Sequence, residues 1–374
     1  MPDFLKLKLL SIKGYKSIKS LSDFTPSSLN VLIGANGSGK SNFISFFRML
    51  SWMMQSPGSL QSFISQNGRA SSFLHDGPQV TPHMDGSIAL ETNQGLNEYV
   101  FQLTYAAGDT LIFTDERYRF SHKDFLEKRK WTTLTPMGHF ESRLTEKADA
   151  GESTAKTIRG LLRSCVVYQF HNTSFSSRIR GSWSVTDNRW LKEDGANIAP
   201  FLLRLHDTKP EYYKRIVEFI RLSVPFFADF VMEATNGRLL MQWREVGSDA
   251  IFDASSASDG MLRYIALVSL LAQPPDGLPD IMILDEPELG LHPYAINVIA
   301  GLIKAASKKI QILIATQSPL LIDNLNIEDI IVINRTGRES VFSRLDAGSL
   351  KEWLDSYTIS ELWEKNVLGG RPSK

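Results

Sequence analysis

The chain has 374 residues, 43% apolar and 22% charged, an ordinary balance for a globular fold able to bury a large core. Lys plus Arg equals Asp plus Glu at 41 each, so net charge gives no global case for nucleic-acid binding and only a local patch could supply one. The single cysteine, Cys165, excludes an internal disulfide and any multi-cysteine zinc site, and points to a reducing cytoplasm.

In chain order, Leu5, Leu7 and Leu9 alternate with Lys6 and Lys8, which predicts a strand with one wet face. Residues 12–18 continue as a second strand or a turn into one. This N-terminus lacks the apolar core of a signal peptide, and no run in the chain approaches the roughly 18 apolar residues of a membrane helix. If the protein drove transport, the membrane part would be another chain.

Leu29, Val31, Leu32 and Ile33 read as a buried strand, and residues 42–54, apolar and free of Gly and Pro, as a helix. Between them, residues 34–41 spell Gly-Ala-Asn-Gly-Ser-Gly-Lys-Ser, a complete G-x-x-x-x-G-K-[ST] phosphate loop in its required context. Its glycines let backbone N–H groups turn inward to phosphate oxygens, and the helix N-terminus adds a favourable dipole. The candidate nucleotide contacts are Asn36, Gly37, Ser38, Gly39, Lys40 and Ser41. Lys40 would reach the β- and γ-phosphates of ATP, and the Ser41 hydroxyl would hold Mg²⁺.

Residues 56–69 are rich in Ser and Gln and read as irregular. Strands at 87–92, 99–105 and 111–119 form a meander, with a hairpin turn at Gly108-Asp109. Residues 121–165 are charged with few strong apolar faces. Lys128-Arg129-Lys130 is a tight basic cluster, either a solvated loop or a contact for DNA. Residues 166–170 read as a strand, and 198–222 as two helices divided at Lys209-Pro210. Segments 230–234 and 239–243 flank Asn236-Gly237 as a hairpin. Trp131, Trp183, Trp190 and Trp243 read as core residues.

From residue 257 the pattern changes. Helices at 261–271 and 293–304 alternate with apolar strands at 281–284, 310–315 and 330–333, which predicts a parallel sheet covered on both faces and an α/β fold. The strand at 281–284 ends in Asp285-Glu286, where an acid can hold Mg²⁺ and a second can polarise a water. Residues 257–263 pass from a small polar loop into a helix; this is either a second anion site or a plain N-cap by Ser258 or Asp259.

Together, the phosphate loop, the Ser-Asp-Gly helix start and Asp285-Glu286-Pro287-Glu288-Leu289-Gly290-Leu291-His292-Pro293 resemble the ABC-type ATPases. Within them, the opening strands and Ala315-Thr316-Gln317-Ser318-Pro319 resemble the RecF/SMC/OLD-like branch. The resemblance covers roughly residues 4–55 and 255–335. It implies a P-loop NTPase with an ABC-ATPase-like mixed sheet, flanking helices and an inserted β-meander and helical lid. It divides one ATPase domain, 1–374, into an N-terminal lobe (1–55), an insertion (56–255), a lobe carrying the signature, Walker B strand and switch (256–335), and a C-terminal extension (336–374).

By position, Ser258 and Gly260 match the family's signature loop, which contacts the γ-phosphate bound to the opposite protomer. Asp285 matches the Mg²⁺-holding acid and Glu286 the catalytic glutamate. Residues 289–293 match the loop that crosses the dimer interface. Gln317 sits where many relatives place a switch histidine; Gln can orient water but cannot change charge near neutral pH, which implies slow turnover. The family's glutamine loop falls near His75 and Gln79.

One phosphate loop and one signature per chain imply a homodimer or higher assembly with ATP at the interface. Residues 320–374 carry Asp323, Glu328, Asp329 and Asp346 but no D-x-D pair suited to two metals, so the chain is not itself expected to be a nuclease. Standalone ATPases of this branch commonly serve bacterial anti-phage or toxin-like systems. The resemblance therefore implies a regulator or scaffold for a separately encoded effector, such as a nuclease or toxin. The alternative is a RecF-like ATPase that clamps DNA.

Overall fold

The structure is a computed structural model that describes residues 5–124 and 130–370. Lys128 and Arg129 of the basic cluster lie outside the described residues. The chain opens with β1 (Lys6–Tyr15) and β2 (Ile18–Phe24), which pair as a hairpin. The first strand therefore runs through Tyr15, and the second begins only at Ile18. The turn is set by Gly14 and Lys16, both at positive φ. Next come β3 (Leu29–Ile33) and α1 (Lys40–Met53), as the apolar run and the Gly-free segment predict.

The segment read as irregular contains a helix, α2 (Ser59–Gln66). Leu60, Phe63 and Ile64 are buried, and its first N–H groups find an acceptor 80 residues away: Leu60 and Gln61 donate to the Glu141 carboxylate at 3.0 and 3.1 Å. The meander is β4 (His83–Thr92), β5 (Gly95–Ala106) and β6 (Thr110–His122), with Gly108 and Asp109 at positive φ in the turn as expected. After β7 (Thr132–Thr133), the charged stretch yields α3 (Leu144–Asp149) and α4 (Ser153–Arg163). Helix α4 does have an apolar face, since Ala155, Ile158, Leu161 and Leu162 are all buried.

Then follow β8 (Cys165–Tyr168), β9 (Trp183–Ser184), α5 (Ile198–Thr208) and α6 (Pro210–Ser223), the last two divided at Pro210 as predicted. Strands β10 (Phe227–Val231), β11 (Arg238–Leu239), β12 (Gln242–Glu245) and β13 (Ile251–Asp253) come next. Asn236-Gly237 does form a tight turn, closed by mutual backbone bonds of Thr235 and Arg238. Its arms pair as predicted, since Val231 of β10 lies opposite Gln242 of β12 and Phe230 opposite Trp243, while β11, next to the turn, also pairs with β9.

The last third contains α7 (Asp259–Leu271), β14 (Ile281–Asp285), α8 (Pro293–Ser307), β15 (Gln311–Ala315), α9 (Pro319–Asp323) and β16 (Ile330–Thr336). It closes with β17 (Glu339–Arg344), α10 (Ala347–Leu354) and α11 (Ile359–Glu364).

Two six-stranded sheets organise these elements. One is antiparallel, in the order β2-β1-β4-β5-β6-β7; the other is mixed, in the order β17-β16-β3-β15-β14-β8, with only β17 antiparallel to its neighbour. Strands β3 and β15 are buried at every residue and apolar except at Asn30 and Gln311, whose buried amides are hydrogen-bonded to backbone. Helix α1 lies between the sheets. Tyr15 meets Phe46 edge-on at 5.2 Å, and Phe46 stacks on Phe101 at 6.4 Å. The opposite face of the mixed sheet is covered by α5, α6, α7 and α8.

Of the four tryptophans read as core, only Trp243 is fully buried. Trp190 is 52% exposed, Trp131 lies over the Arg117 and Arg119 guanidiniums, and Trp183 lies over Arg178 and Lys192. An indole shielded on one face by a cation does not need full burial.

The meander is tightly packed at Gly86, where an added Cβ would lie 2.4 Å from two carbons of the Phe101 ring. Gly86→Ala should destabilise the fold by about 1–3 kcal/mol through overpacking. A denaturant midpoint unchanged from the parent would show that the ring can move aside freely.

Candidate active site

Strands β3, β15, β14 and β8 are parallel neighbours, so the loops at their carboxyl ends converge. The phosphate loop follows β3, Gln169 follows β8, Asp285 ends β14, and Thr316-Gln317 follow β15.

The phosphate loop is held from outside by elements remote in sequence. Arg335 donates to the Gly37 carbonyl at 3.0 Å, Ser340 Oγ donates to the Ser38 carbonyl at 2.5 Å, and Asn42 reaches Ser17 Oγ at 2.7 Å. Two glycines are sterically required. A Cβ on Gly34 would lie 2.4 Å from the Ile333 carbonyl oxygen, and one on Gly39 would lie 2.0 Å from Ser340 Oγ. With the Gly37 and Ser38 carbonyls engaged from outside, the loop can turn N–H groups toward an anion.

Lys40 is buried, and its ammonium donates to the Gly34 and Ala35 carbonyls at 2.5 and 3.1 Å. Burial pulls its pKa down, while the charges of Glu286, Asp285 and Glu288 oppose that shift. The field of those acids joins the phosphate loop and the end of β14 in one electrostatic site. Ser41 is exposed on the first turn of α1, as are Asn36 and Gly37 on the loop. Ser38 Oγ is buried with no hydrogen-bond partner among the described residues.

Asp285 is held by two neighbours from the β8 loop. Gln169 Nε2 donates to Asp285 Oδ2 at 3.1 Å, while Gln169 Oε1 accepts from Arg48 at 2.7 Å. His171 Nε2 donates to the Asp285 backbone carbonyl at 2.9 Å, leaving Nδ1 to accept from Gln169 Nε2 at 3.1 Å. Burial raises the Asp285 carboxyl above the ordinary aspartate range, with His171 and Arg48 opposing.

Glu286 adopts a left-handed backbone, φ 43°, and its N–H donates to the Ala315 carbonyl at 2.8 Å. Such a conformation costs a non-glycine residue on the order of 1 kcal/mol or more, and such outliers concentrate at functional sites. Gln317 Nε2 donates to Glu286 Oε1 at 2.7 Å, so the two candidate catalytic residues are in direct contact. Behind them, Glu288 Oε1 accepts from Thr316 Oγ1 at 2.6 Å and from the Gln317 N–H at 3.3 Å. Burial raises the Glu288 carboxyl above its ordinary range.

Ser258 and Gly260 form a second cluster. Ser258 caps α7 by accepting from the Met261 N–H at 3.2 Å, and a Cβ on Gly260 would lie 2.6 Å from the Gly290 carbonyl oxygen. Arg263, one turn into α7, links this cluster to the first. It donates to the carbonyls of Leu289, His171 and Phe170 at 3.0, 2.9 and 3.3 Å.

His75 Nδ1 is bonded to the Lys16 carbonyl at 2.7 Å, in the β1–β2 turn. The glutamine beside Asp285 is Gln169, rather than His75 or Gln79. Gln169, His171, Glu288 and Arg263 were not singled out from sequence. The available signal was the Gln-x-His that ends the apolar run of β8.

The sequence profile of the family described as "AAA domain, putative AbiEii toxin, Type IV TA system" matches residues 29–323. The chain belongs to this family. It carries an AAA domain and has the fold of Smc heads, and family membership implies nucleotide binding. One similar solved structure is an Smc head bound to the C-terminal winged-helix domain of ScpA, at TM-score 0.58 and 15% identity, covering 92% of this chain and 99% of that one. Another is the Pyrococcus furiosus-derived Smc head with an extended coiled coil, bound to the C-terminal domain of ScpA, at TM-score 0.57 and 14% identity, covering 94% and 99%. No curated protein has significant sequence similarity to the chain.

Among the described residues, no helix is long and apolar enough to cross a membrane, and no group of three or more His, Cys, Asp or Glu could hold a metal ion. A metal here would rest on mixed oxygen donors. A hydroxyl and a carboxylate beside bound phosphate suit Mg²⁺, and Ser41 and Asp285 fit that set.

Proposed function

We propose that the protein binds ATP with Mg²⁺, closes as a homodimer around two nucleotides, hydrolyses them slowly, and thereby regulates a separately encoded effector in bacterial anti-phage defence. The observation that carries this reading is the convergence of Lys40, Asp285 and the Glu286–Gln317 pair at the carboxyl ends of neighbouring parallel strands. Lys40 and the loop N–H groups bind the phosphates. Ser41 and Asp285 hold Mg²⁺, which neutralises phosphate charge when bound. Glu286 takes the proton of the attacking water, and Gln317 fixes the carboxylate's orientation without changing charge itself.

Ser258 and Gly260, which line one cleft with Gly290, Leu291 and His292, suit contact with the γ-phosphate on a partner chain. ATP would then join the two chains, and hydrolysis would release them. The family description supports a toxin-like system, and the Smc heads that bind ScpA domains offer an analogy for a protein partner.

The test is the composition of the complex isolated from the host with Glu286→Gln, with and without ATP. A second protein in fixed ratio is expected. Nuclease-resistant DNA in place of a protein would replace this reading with a DNA clamp.

The raised pKa of Asp285 gives a pH signature. A raised pKa means protonation at higher pH than for an ordinary aspartate, and only the ionised form holds a cation well. The Mg²⁺ concentration for half-maximal hydrolysis should therefore rise on mild acidification, before ordinary aspartates titrate. A Mg²⁺ requirement that stays flat over that range would remove Asp285 as the metal ligand.

A further inference from the structure

The loop leaving β8 begins at the nucleotide site with Gln169 and His171 and continues to Arg180. Arg180 belongs to neither cluster described above, yet its side chain is only 8% exposed. Its guanidinium is almost wholly used by backbone. Nε donates to the Thr173 carbonyl at 2.8 Å, and both terminal nitrogens donate to the Ala257 carbonyl at 3.1 Å. Nη1 also donates to the Ala254 carbonyl, and Nη2 to Asp259 Oδ1 at 3.0 Å. Arg180 therefore fastens the end of the β8 loop to residues 254–259, the segment that presents Ser258.

Nucleotide occupancy has a route to this contact. Asp285 Oδ2 accepts from Gln169, and a cation held by Asp285 would compete for that oxygen. Movement of Gln169 shifts the loop through His171 to Thr173, whose carbonyl Arg180 holds. A planar cation bonded to three carbonyls and a carboxylate behaves as a stiff link, because moving one end without the other leaves buried carbonyls unpaired.

We propose that Arg180 is the positioning residue that transmits nucleotide occupancy at a chain's own phosphate loop to the signature this chain offers its partner. The proposal rests on the dimer reading above. It makes the two ATP sites cooperative, since filling one site sets the geometry of the other's signature.

The test follows dimer formation by sedimentation in a Glu286→Gln background as ATP with Mg²⁺ is raised. The expected result for Glu286→Gln is a steep, sigmoidal transition. Adding Arg180→Ala should shift the midpoint to on the order of tenfold higher ATP and flatten the transition, the scale of losing one charged hydrogen-bond partner. ATP affinity of the dilute monomer should stay unchanged. Arg180→Lys keeps the charge but loses the planar fork, so it should fall between the two; it decides the matter if the alanine variant does not fold.

An unshifted, equally steep transition would overturn the role of Arg180 alone and leave the dimer reading standing. A parallel loss of monomer affinity would also overturn it, since Arg180 would then act on the nucleotide site or the whole fold. A Glu286→Gln protein that stays monomeric at saturating ATP would overturn the dimer and the coupling together.

Discussion

Replacing Glu286 by glutamine should lower ATP turnover by about a hundredfold to ten-thousandfold, the usual contribution of a positioned general base, while nucleotide affinity stays near that of the parent. The geometry sets this separation. Glu286 follows β14 in a left-handed conformation and meets Gln317 at 2.7 Å, whereas the Lys40 ammonium bonds the phosphate loop itself. A glutamine at 286 keeps an oxygen for Gln317 but cannot accept a proton. Single-turnover hydrolysis alongside equilibrium nucleotide binding distinguishes the two effects. Unchanged turnover would assign the base to another group. Gln317→Ala should give a smaller loss, because it frees the Glu286 carboxylate to rotate without removing it.

How much of this site was legible in the sequence follows from how local each signal is. The phosphate loop is contiguous and bracketed by a fully buried strand and a Gly-free helix, so eight residues sufficed to find it. Asp285-Glu286 was legible because β14, covered on both faces, is apolar through Leu284, which leaves its acidic end conspicuous. Gln169 was not legible. Its position beside Asp285 depends on β8 pairing with β14 across more than a hundred residues, and nothing local announces that partnership.

The same reasoning explains α2, whose capping carboxylate is Glu141, and the support of the phosphate loop by Arg335 and Ser340. Helix α4 is different. Ala155, Ile158, Leu161 and Leu162 recur at helical spacing, and the surrounding charge masked a pattern that was present. The exposed Trp190 shows the limit of composition, since indole size alone does not specify burial.

Lys40→Ala should weaken ATP binding by a factor as large as the turnover loss at Glu286. Lys40 is the cation at the centre of the phosphate loop, partly stripped of water and drawn toward the field of Asp285, Glu286 and Glu288. Phosphate oxygens would replace the Gly34 and Ala35 carbonyls as its acceptors, exchanging neutral acceptors for charged ones. Charge-assisted bonds contribute roughly 1.5–3 kcal/mol each, so losing two or more weakens binding by on the order of a hundredfold to ten-thousandfold. Lys40→Arg should not rescue binding, because a larger planar guanidinium cannot take the place of the buried, compact ammonium held by the Gly34 and Ala35 carbonyls.

Thermal unfolding gives the direct readout. A ligand that binds only the folded state adds about 2.7 kcal/mol at a hundred times its Kd, so the parent should melt several degrees higher in ATP with Mg²⁺. The Lys40→Ala protein should fold and melt normally without nucleotide and gain nothing when nucleotide is added. An ATP-dependent shift as large as the parent's would mean that the nucleotide sits elsewhere, and the roles assigned to Asp285 and Glu286 would fail with it.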